Sequence, residues 1–342
     1  MDRQRASAFA PATVANVAVG FDVLGFPMAG AGDLVGLERL EPRAGQSPGV
    51  VIESIEGPDG SSLELPKEAG RNTAGRVLEA LIRDLGLPFG FSLRLRKGIP
   101  LSSGMGGSAA SAVAALTAAN ALLGEPLPLE RILSFALLGE ELASGSAHGD
   151  NAAPCIYGGI TILRSCDPAD VVRMPVPAGL SVALAHPHMR LDTRTSRAAL
   201  PAEFPLKDFV AQSANLASFV AACYTADYGL MSRSLNDLLI EPRRAGLIPA
   251  FGAVKRAALR EGALGCSISG SGPSVFALCE GEAAAARVGR AMAAAWRAAG
   301  MEVDLWTGPV SAGGAELVDD ESWSLTLDAA SGGSAQAAKE AL

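Results

Sequence analysis

Cysteine is scarce and scattered: Cys155, Cys166, Cys223, Cys266 and Cys279 are odd in number, and none forms a CxxC pair or lies in a Cys/His cluster. That pattern argues against structural zinc or a disulfide framework and points to a reducing compartment. Aromatic residues make up only 5%, and no block of Lys and Arg interleaved with them occurs. With 28 basic against 36 acidic residues and a net charge of −8, a nucleic-acid backbone is not the expected partner. A long apolar run is missing too. The best stretch, residues 109–123, is alanine-rich and broken by Ser111, Thr117 and Asn120, too short and weak to span a membrane. Asp2, Pro11, Asn16 and Asp22 fall where a signal peptide needs an uninterrupted apolar core, so none is expected. The reading is of a soluble cytoplasmic protein with neither membrane nor nucleic acid as partner.

What is present is a large apolar fraction, 49% of 342 residues against 19% charged. That is enough for a substantial core and too much for a disordered chain. The length favours two domains or one large one. Residues 50–55 read as a strand, and Phe89, Phe91, Leu93 and Leu95 alternate with Gly90, Ser92, Arg94 and Arg96 as in a half-buried strand. Between them Val77, Leu78, Leu81, Ile82 and Leu85 keep helical spacing, with Gly86 where the helix should stop. Further helices are predicted near 109–123, 128–143, 206–225, 249–261 and 282–299, and strands near 156–163, 182–185, 274–279 and 301–306. This mixed order favours an α+β fold. Two domains, 1–165 and 166–318, are expected, and the Ser/Gly/Ala-rich residues 319–342 read as a mobile tail.

The strongest local signal is Gly104-Met-Gly-Gly-Ser-Ala-Ala-Ser111. Its glycines let backbone N–H groups approach a ligand, and Ser108 is placed to cap the helix that follows, whose positive end favours phosphate. The run is neither a Walker A loop nor G-x-G-x-x-G, and a plain glycine-rich turn is the competing reading. In the helix after it, the apolar stripe 129, 132, 133, 136, 137 continues to Glu140, whereas Glu141 lies about 100° around the axis. A carboxylate on a buried face needs a cation or donor, so Glu140 is a candidate metal ligand. The alternative is that the helix surfaces in its last turn. His148, Asp150 and Asn151 crowd the next loop; His186 and His188 have no evident role. In residues 10–22, Asn16 and Asp22 interrupt an apolar segment, so they either bond a turn or face a ligand. Thr193 and Arg197 share a face if their segment is helical, and with Arg244 the arginines could grip a carboxylate. Residues 265–274 form a second glycine-rich loop before a strand.

Three segments together resemble the GHMP small-molecule kinases: residues 10–22, the Pro-x3-Gly-x-Gly-x-Ser-Ala-Ala loop at 100–110, and Ser-Gly-Ser-Gly-Pro at 269–273. Two more, 145–154 and 240–249, resemble the branch of that family that acts on homoserine. The similarity covers residues 8–318. It implies an N-terminal α+β domain with a left-handed βαβ crossover, a ferredoxin-like C-terminal domain, and a site between them. It also implies ATP-dependent phosphorylation of the side-chain hydroxyl of L-homoserine, in threonine biosynthesis. The loop holding Pro100, Ser103, Gly104, Gly106, Gly107, Ser108 and Ala109 would wrap the ATP phosphates, Ser108 and Glu140 would hold Mg²⁺, and Asn72 would lie near adenine. An N-cap is an equally good reading of Asn72. Homoserine would meet Asn16, Asp22, His148, Thr193, Arg197 and Arg244, with Asp22 at the amino group and the arginines at the carboxylate.

Some relatives place an aspartate at the acceptor. The resemblance puts Asn151 there, which cannot act as a base, leaving His148 or no base at all. Family members usually read Gly-Leu-Gly-Ser-Ser where this chain has Gly-Met-Gly-Gly-Ser, so one hydroxyl is lost while Ser108 stays. The competing functions are another GHMP kinase, such as one acting on mevalonate, and a catalytically silent nucleotide-binding regulator. The reading is compatible with a homodimer.

Overall fold

A computed structural model describes residues 3–42, 44–144, 148–310 and 313–319; residues 145–147 and nearly all of the expected tail therefore lie outside the described residues. The chain runs β1 (Arg5–Ala15), β2 (Leu24–Leu40), β3 (Val50–Glu56), α1 (Thr73–Leu85), β4 (Gly90–Lys97), α2 (Gly107–Asn120), α3 (Leu129–Ser144), α4 (Ala152–Tyr157), β5 (Ile160–Cys166) and β6 (Ala169–Met174). It continues with β7 (Leu180–Pro187), α5 (Thr193–Ala198), α6 (Leu206–Thr225), α7 (Tyr228–Ser234), α8 (Glu241–Arg244), α9 (Phe251–Arg260), β8 (Gly265–Ile268), β9 (Val275–Glu280), α10 (Glu282–Ala298), β10 (Val303–Pro309) and β11 (Glu316–Val318).

This is the two-domain α+β fold that the resemblance implied. The first sheet runs β11-β1-β2-β4-β3, with the β5–β6 hairpin joined through β2. Only β3 and β4 pair in parallel among the described strands, and parallel neighbours need a crossover, which α1 supplies. The second sheet, β10-β7-β9-β8, is antiparallel throughout, the strand order of a ferredoxin-like unit. The hairpin β5–β6 spans residue 165, and the second sheet begins at Leu180.

Helix α2 explains the alanine-rich run. Residues Ala109–Ala119 are buried apart from Thr117, because the helix is packed between β1 and β2 on one side and α1 and α3 on the other. Alanine lets those neighbours approach closely, and a helix apolar all round belongs in a core. Around it lies the first core, with Phe26, Phe91 and Leu93. A second core sits where α9 and α10 cover the second sheet, around Trp296 and Met292. Phe26 of β2 meets Phe276 of β9 edge to face, 6.3 Å between centroids, so the two sheets are packed together beneath the site. Helix α1 stops as expected at Gly86, whose φ is 59° and whose N–H bonds Ile82 O.

Three local expectations differ from the structure. Residues 152–157 form helix α4, so the strand predicted from 156 begins only at Ile160. Strands β1, β2, β6 and β11 and helices α7 and α8 were not anticipated. Ser108 does not cap α2: the N-cap is Gly106, at φ 70°, with no side-chain cap. The Ser108 hydroxyl is committed to Glu140 instead. Among the described residues no helix is long and apolar enough to cross a membrane.

Candidate active site

The two glycine-rich loops meet. Ser269 Oγ donates to Gly104 O at 2.8 Å, and Ser274 N to Ser103 O at 3.1 Å. At Gly104, φ is 76° and a Cβ would lie 2.5 Å from Ser269 O and 2.6 Å from Gly272 O; only glycine permits this approach. From the other side, Thr13 N of β1 bonds Met105 O at 3.0 Å. The loop is thus clamped by β1 and by the second domain's loop, and it delivers the N-terminus of α2, with its unpaired N–H groups, to a cavity of 470 Å³.

Nearly every residue singled out from the sequence lines that one cavity. Asn16, Asp22, Asn72, Pro100, Ser103, Gly104, Gly106, Gly107, Ser108, Glu140, His148, Asn151, Thr193, Arg197 and Arg244 all do. Ala109 does not; its side chain is fully buried. Asn72 acts as the N-cap of α1, accepting from Ala74 N at 3.1 Å and Gly75 N at 3.4 Å, and it donates to Pro66 O.

At the loop end, Ser108 Oγ donates to Glu140 Oε1 at 2.7 Å. Burial pushes the Glu140 carboxyl up to about 7, against the lowering effect of the Ser108 hydrogen bond. Hydroxyl and carboxylate oxygens are the donors a hard divalent cation takes, so the pair fits the Mg²⁺ expected there. Beneath the loop, Lys97, Asp33 and Ser111 form a buried cluster that the sequence reading missed. Lys97 Nζ contacts Asp33 and donates to Gly107 O at 2.7 Å and Ser111 Oγ at 2.9 Å. Asp33 also accepts from Gly98 N, Ile99 N and Ser111 Oγ. A usable signal existed: Lys97 continues the inward series Phe91, Leu93, Leu95 of β4, so it had to be buried and paired.

At the other end the charges are already paired with one another. Arg197 donates two bonds to Asp22, Nη1 to Oδ2 at 3.1 Å and Nη2 to Oδ1 at 3.0 Å. His148 Nδ1 lies 3.5 Å from Asp22 Oδ2; burial lowers its pKa, while Asp22 acts the other way. Asp22 sits in a strained turn, since Asn16, Val17, Ala18 and Asp22 all have positive φ, and such strain gathers at functional sites. Asn16 closes it: its Oδ1 accepts from Asp22 N at 3.0 Å, and its Nδ2 donates to Gly270 O at 2.8 Å. The turn and the cavity are thus served by one side chain. Arg244, buried over the Phe21 ring, donates to Ser196 O and Gly270 O; Nη2 has no protein partner among the described residues. Burial, then the neighbouring Arg197, lower its pKa. Thr193 and Arg197 do share the helix α5, and Thr193 Oγ1 meets Ser271 Oγ at 3.3 Å. Asn151 accepts from Thr13 Oγ1 at 2.8 Å.

Comparison with known proteins bears on this arrangement. Residues 72–159 match the GHMP kinases N terminal domain, and residues 219–298 the GHMP kinases C terminal domain. A homoserine kinase of Xylella fastidiosa (strain M12) is 50% identical over 314 residues, 92% of this chain and 94% of that one. One from Chlorobium phaeovibrioides is 45% identical over 318 residues, 91% and 98% of the two chains. The crystal structure of homoserine kinase from Cytophaga hutchinsonii superimposes with a TM-score of 0.87 at 45% identity, covering 93% of this chain and 98% of that one. The crystal structure of L. major mevalonate kinase in complex with R-mevalonate shares the fold at 16% identity and a TM-score of 0.66, covering 89% of this chain and 96% of that one. With 45–50% identity to homoserine kinases over more than nine-tenths of its length, the chain belongs to the homoserine kinase branch of the GHMP kinase family.

Proposed function

We propose that the cavity transfers the γ-phosphoryl group of ATP to the side-chain hydroxyl of L-homoserine, giving O-phospho-L-homoserine. One observation carries this reading: a glycine-rich anion loop with its Ser108–Glu140 pair, and an opposed set of one carboxylate and two guanidiniums, line the same 470 Å³ space. The first half suits a triphosphate. The second suits a small zwitterion, whose ammonium would meet Asp22 and whose carboxylate would meet Arg197 and Arg244 through charge-assisted bonds.

Phosphoryl transfer depends on positioning and charge neutralisation more than on covalent chemistry. The N–H groups at the start of α2 would bind phosphate oxygens, and the clamp from Thr13, Ser269 and Ser274 would hold that loop still. Ser108 and Glu140 would hold Mg²⁺, which when bound offsets phosphate charge. Asn16, tied to both the Asp22 turn and Gly270, would keep the acceptor side in register with the loops. His148 beside Asp22 supports orientation of the amino-acid end.

The test is ADP release with ATP and Mg²⁺ across homoserine, mevalonate and galactose, with the product identified by phosphorus NMR. Homoserine should be turned over and the others should not. Equal or faster turnover of mevalonate or galactose overturns the assignment.

A further inference from the structure

Asp22 and Arg244 come from distant segments, Asp22 from the strained turn after β1 and Arg244 from α8. Between those segments lies Gln212 of α6, a buried side chain, 7% exposed, on a helix none of whose residues lines the 470 Å³ cavity. Its Nε2 donates to Val19 O, within the Asp22 turn, at 3.3 Å, and to Asp237 Oδ1 at 3.2 Å. Its Oε1 accepts from Leu238 N at 2.9 Å. Two donors and the carbonyl are thereby used. Asp237, also buried, organises the entry to α8: Oδ1 accepts from Leu239 N at 2.9 Å and Ile240 N at 3.0 Å, and Oδ2 from Glu241 N at 2.8 Å. These are N–H groups that the start of a helix leaves without internal partners. Glu241 is tied in turn to Lys255 of α9 and Ser267 of β8, so this entry is anchored to the second domain.

The other attachment, Val19 O, belongs to a turn with positive φ at Asn16, Val17, Ala18 and Asp22, a conformation that persists only when its surroundings hold it. Val19, Leu216, Leu239 and Ile240 surround a second cavity of 480 Å³ that Gln212 also lines. An apolar side chain would suit that setting, and a buried amide costs free energy unless its bonds are made. The bonds it makes join the Asp22 turn to the Arg244 segment. The same two segments meet once more at Gly270 O, which accepts from Asn16 Nδ2 and Arg244 Nη1. One point of attachment leaves a pivot; the second, at Gln212, fixes the angle.

We propose that Gln212 is a positioning residue for the acceptor: by tying the Asp22 turn to the entry of α8, it sets the spacing between the groups that take the ammonium and the carboxylate. The inference rests on the kinase reading. Gln212 acts through Asp22 and Arg244 and touches no substrate itself. An acceptor held at both ends depends on that spacing, and one held at a single end depends on it less. The phosphate loop is held separately, by Thr13, Ser269 and Ser274, so nucleotide binding does not pass through Gln212.

Turnover of homoserine by the unaltered enzyme is measured first, and its absence would overturn the kinase reading itself rather than the contacts of Gln212. Given turnover, two variants are compared with it. Gln212→Met keeps the length and removes the amide; Gln212→Glu keeps the shape and the acceptor for Leu238 N but loses both donors. In each variant that folds, the homoserine KM should rise at least about fivefold while the ATP KM stays within about twofold. The kcat/KM preference for homoserine over 3-amino-1-propanol, which lacks the carboxylate, should narrow by at least about threefold. A role in stability alone would lower Tm and leave these ratios unmoved. A smaller rise in the homoserine KM, an equal rise in the ATP KM, or an unchanged preference overturns the proposal. If neither variant folds, the unaltered enzyme still decides: saturating homoserine should slow hydrogen exchange at Leu238 N–H by at least about threefold, and 3-amino-1-propanol should slow it less. Exchange there that homoserine does not change overturns the proposal.

Discussion

Ser108 at the first turn of α2 donates to Glu140 near the end of α3, Oγ to Oε1 at 2.7 Å. The bond joins two residues 32 positions apart and turns a buried carboxylate toward the phosphate loop. Its neighbour Glu141 is exposed. Glu140→Gln should therefore lower kcat by roughly two orders of magnitude or more, since a lost charge at the metal site is felt mainly in the transition state. Glu141→Gln should change little. Initial rates at saturating Mg²⁺ compare them, and similar losses would contradict the geometry.

Lys97 and Asp33 are a second buried pair, side chains 6% and 0% exposed. Removing one partner strands the other. Lys97→Met should destabilise the protein by about 3 kcal/mol, the low end for a broken buried pair, because Asp33 keeps its bonds from Gly98, Ile99 and Ser111. Urea unfolding of Lys97→Met, Asp33→Asn and the double variant measures this. The double variant should cost clearly less than the two single costs added, and strict additivity would mean the two charges do not depend on each other.

Adjacent glycines in the loop should respond very differently to alanine. At Gly106, φ is 70° and a Cβ would lie 2.1 Å from Thr13 Oγ1. At Gly107 the nearest atom, Ile99 Cγ2, is 3.2 Å away and φ is ordinary. Gly106→Ala should displace β1 or the loop and raise the KM for ATP at least about tenfold, while Gly107→Ala should stay within about threefold. Steady-state kinetics with ATP varied would show it. A damaging Gly107→Ala beside a silent Gly106→Ala would reverse the steric argument.

Much of this was legible in the sequence, for identifiable reasons. Helix α1 announced itself through its 3.6-residue spacing and Gly86, and β4 through strict alternation, because both are amphipathic. Glu140 was found because it extended an apolar stripe. Strand β1 hid its alternation: it is buried on both faces, with alanines throughout, so no polar face marked it. Helix α4 escaped because six residues are too few for a period to show. Asp150 attracted notice with His148 and Asn151 but was given no role, because local pattern cannot separate a buried loop carboxylate from a solvated one. Nor could sequence foresee that Asp22 and Arg197, 175 positions apart, would pair directly.

Two raised carboxyl groups make the ligand-free protein sensitive to pH in an unusual direction. Glu140 and Asp150 both move up to about 7, from 4.5 and 3.8. Between those values the folded state keeps protons that the unfolded chain has released, so stability from these groups is full below about pH 4, falls as pH rises, and levels off above about pH 7. Each contributes on the order of 3 kcal/mol, and their coupling makes the sum smaller than twice that. Removing the charges by Glu140→Gln with Asp150→Asn should raise Tm relative to the unaltered protein more at about pH 8 than at about pH 5. Thermal unfolding without nucleotide or metal checks it; a difference independent of pH would show that these carboxyls do not titrate as described.

The Asp22–Arg197 pair sets a condition on what can bind. In the structure the two charges satisfy each other through bonds of 3.1 and 3.0 Å, while Arg197 Nε is buried without a partner among the described residues. A ligand that separates them must replace both halves of the pair. Homoserine carries an ammonium for Asp22 and a carboxylate for Arg197. 3-Amino-1-propanol offers only the first and 4-hydroxybutyrate only the second, so each leaves one half-buried charge poorly paired, which costs more than the lost contact itself. Both analogues should have kcat/KM lower than homoserine by at least about 10³-fold, more than one charge-assisted bond is worth. Asp22→Asn with Arg197→Gln, which dissolves the pair, should bind homoserine weakly but narrow the gap between homoserine and each analogue to about tenfold or less. Measuring kcat/KM for three acceptors on both enzymes settles the matter. If the gap stays as wide in the double variant, discrimination comes from elsewhere in the cavity, and the exchange of one ion pair for two is not how this site selects a zwitterion.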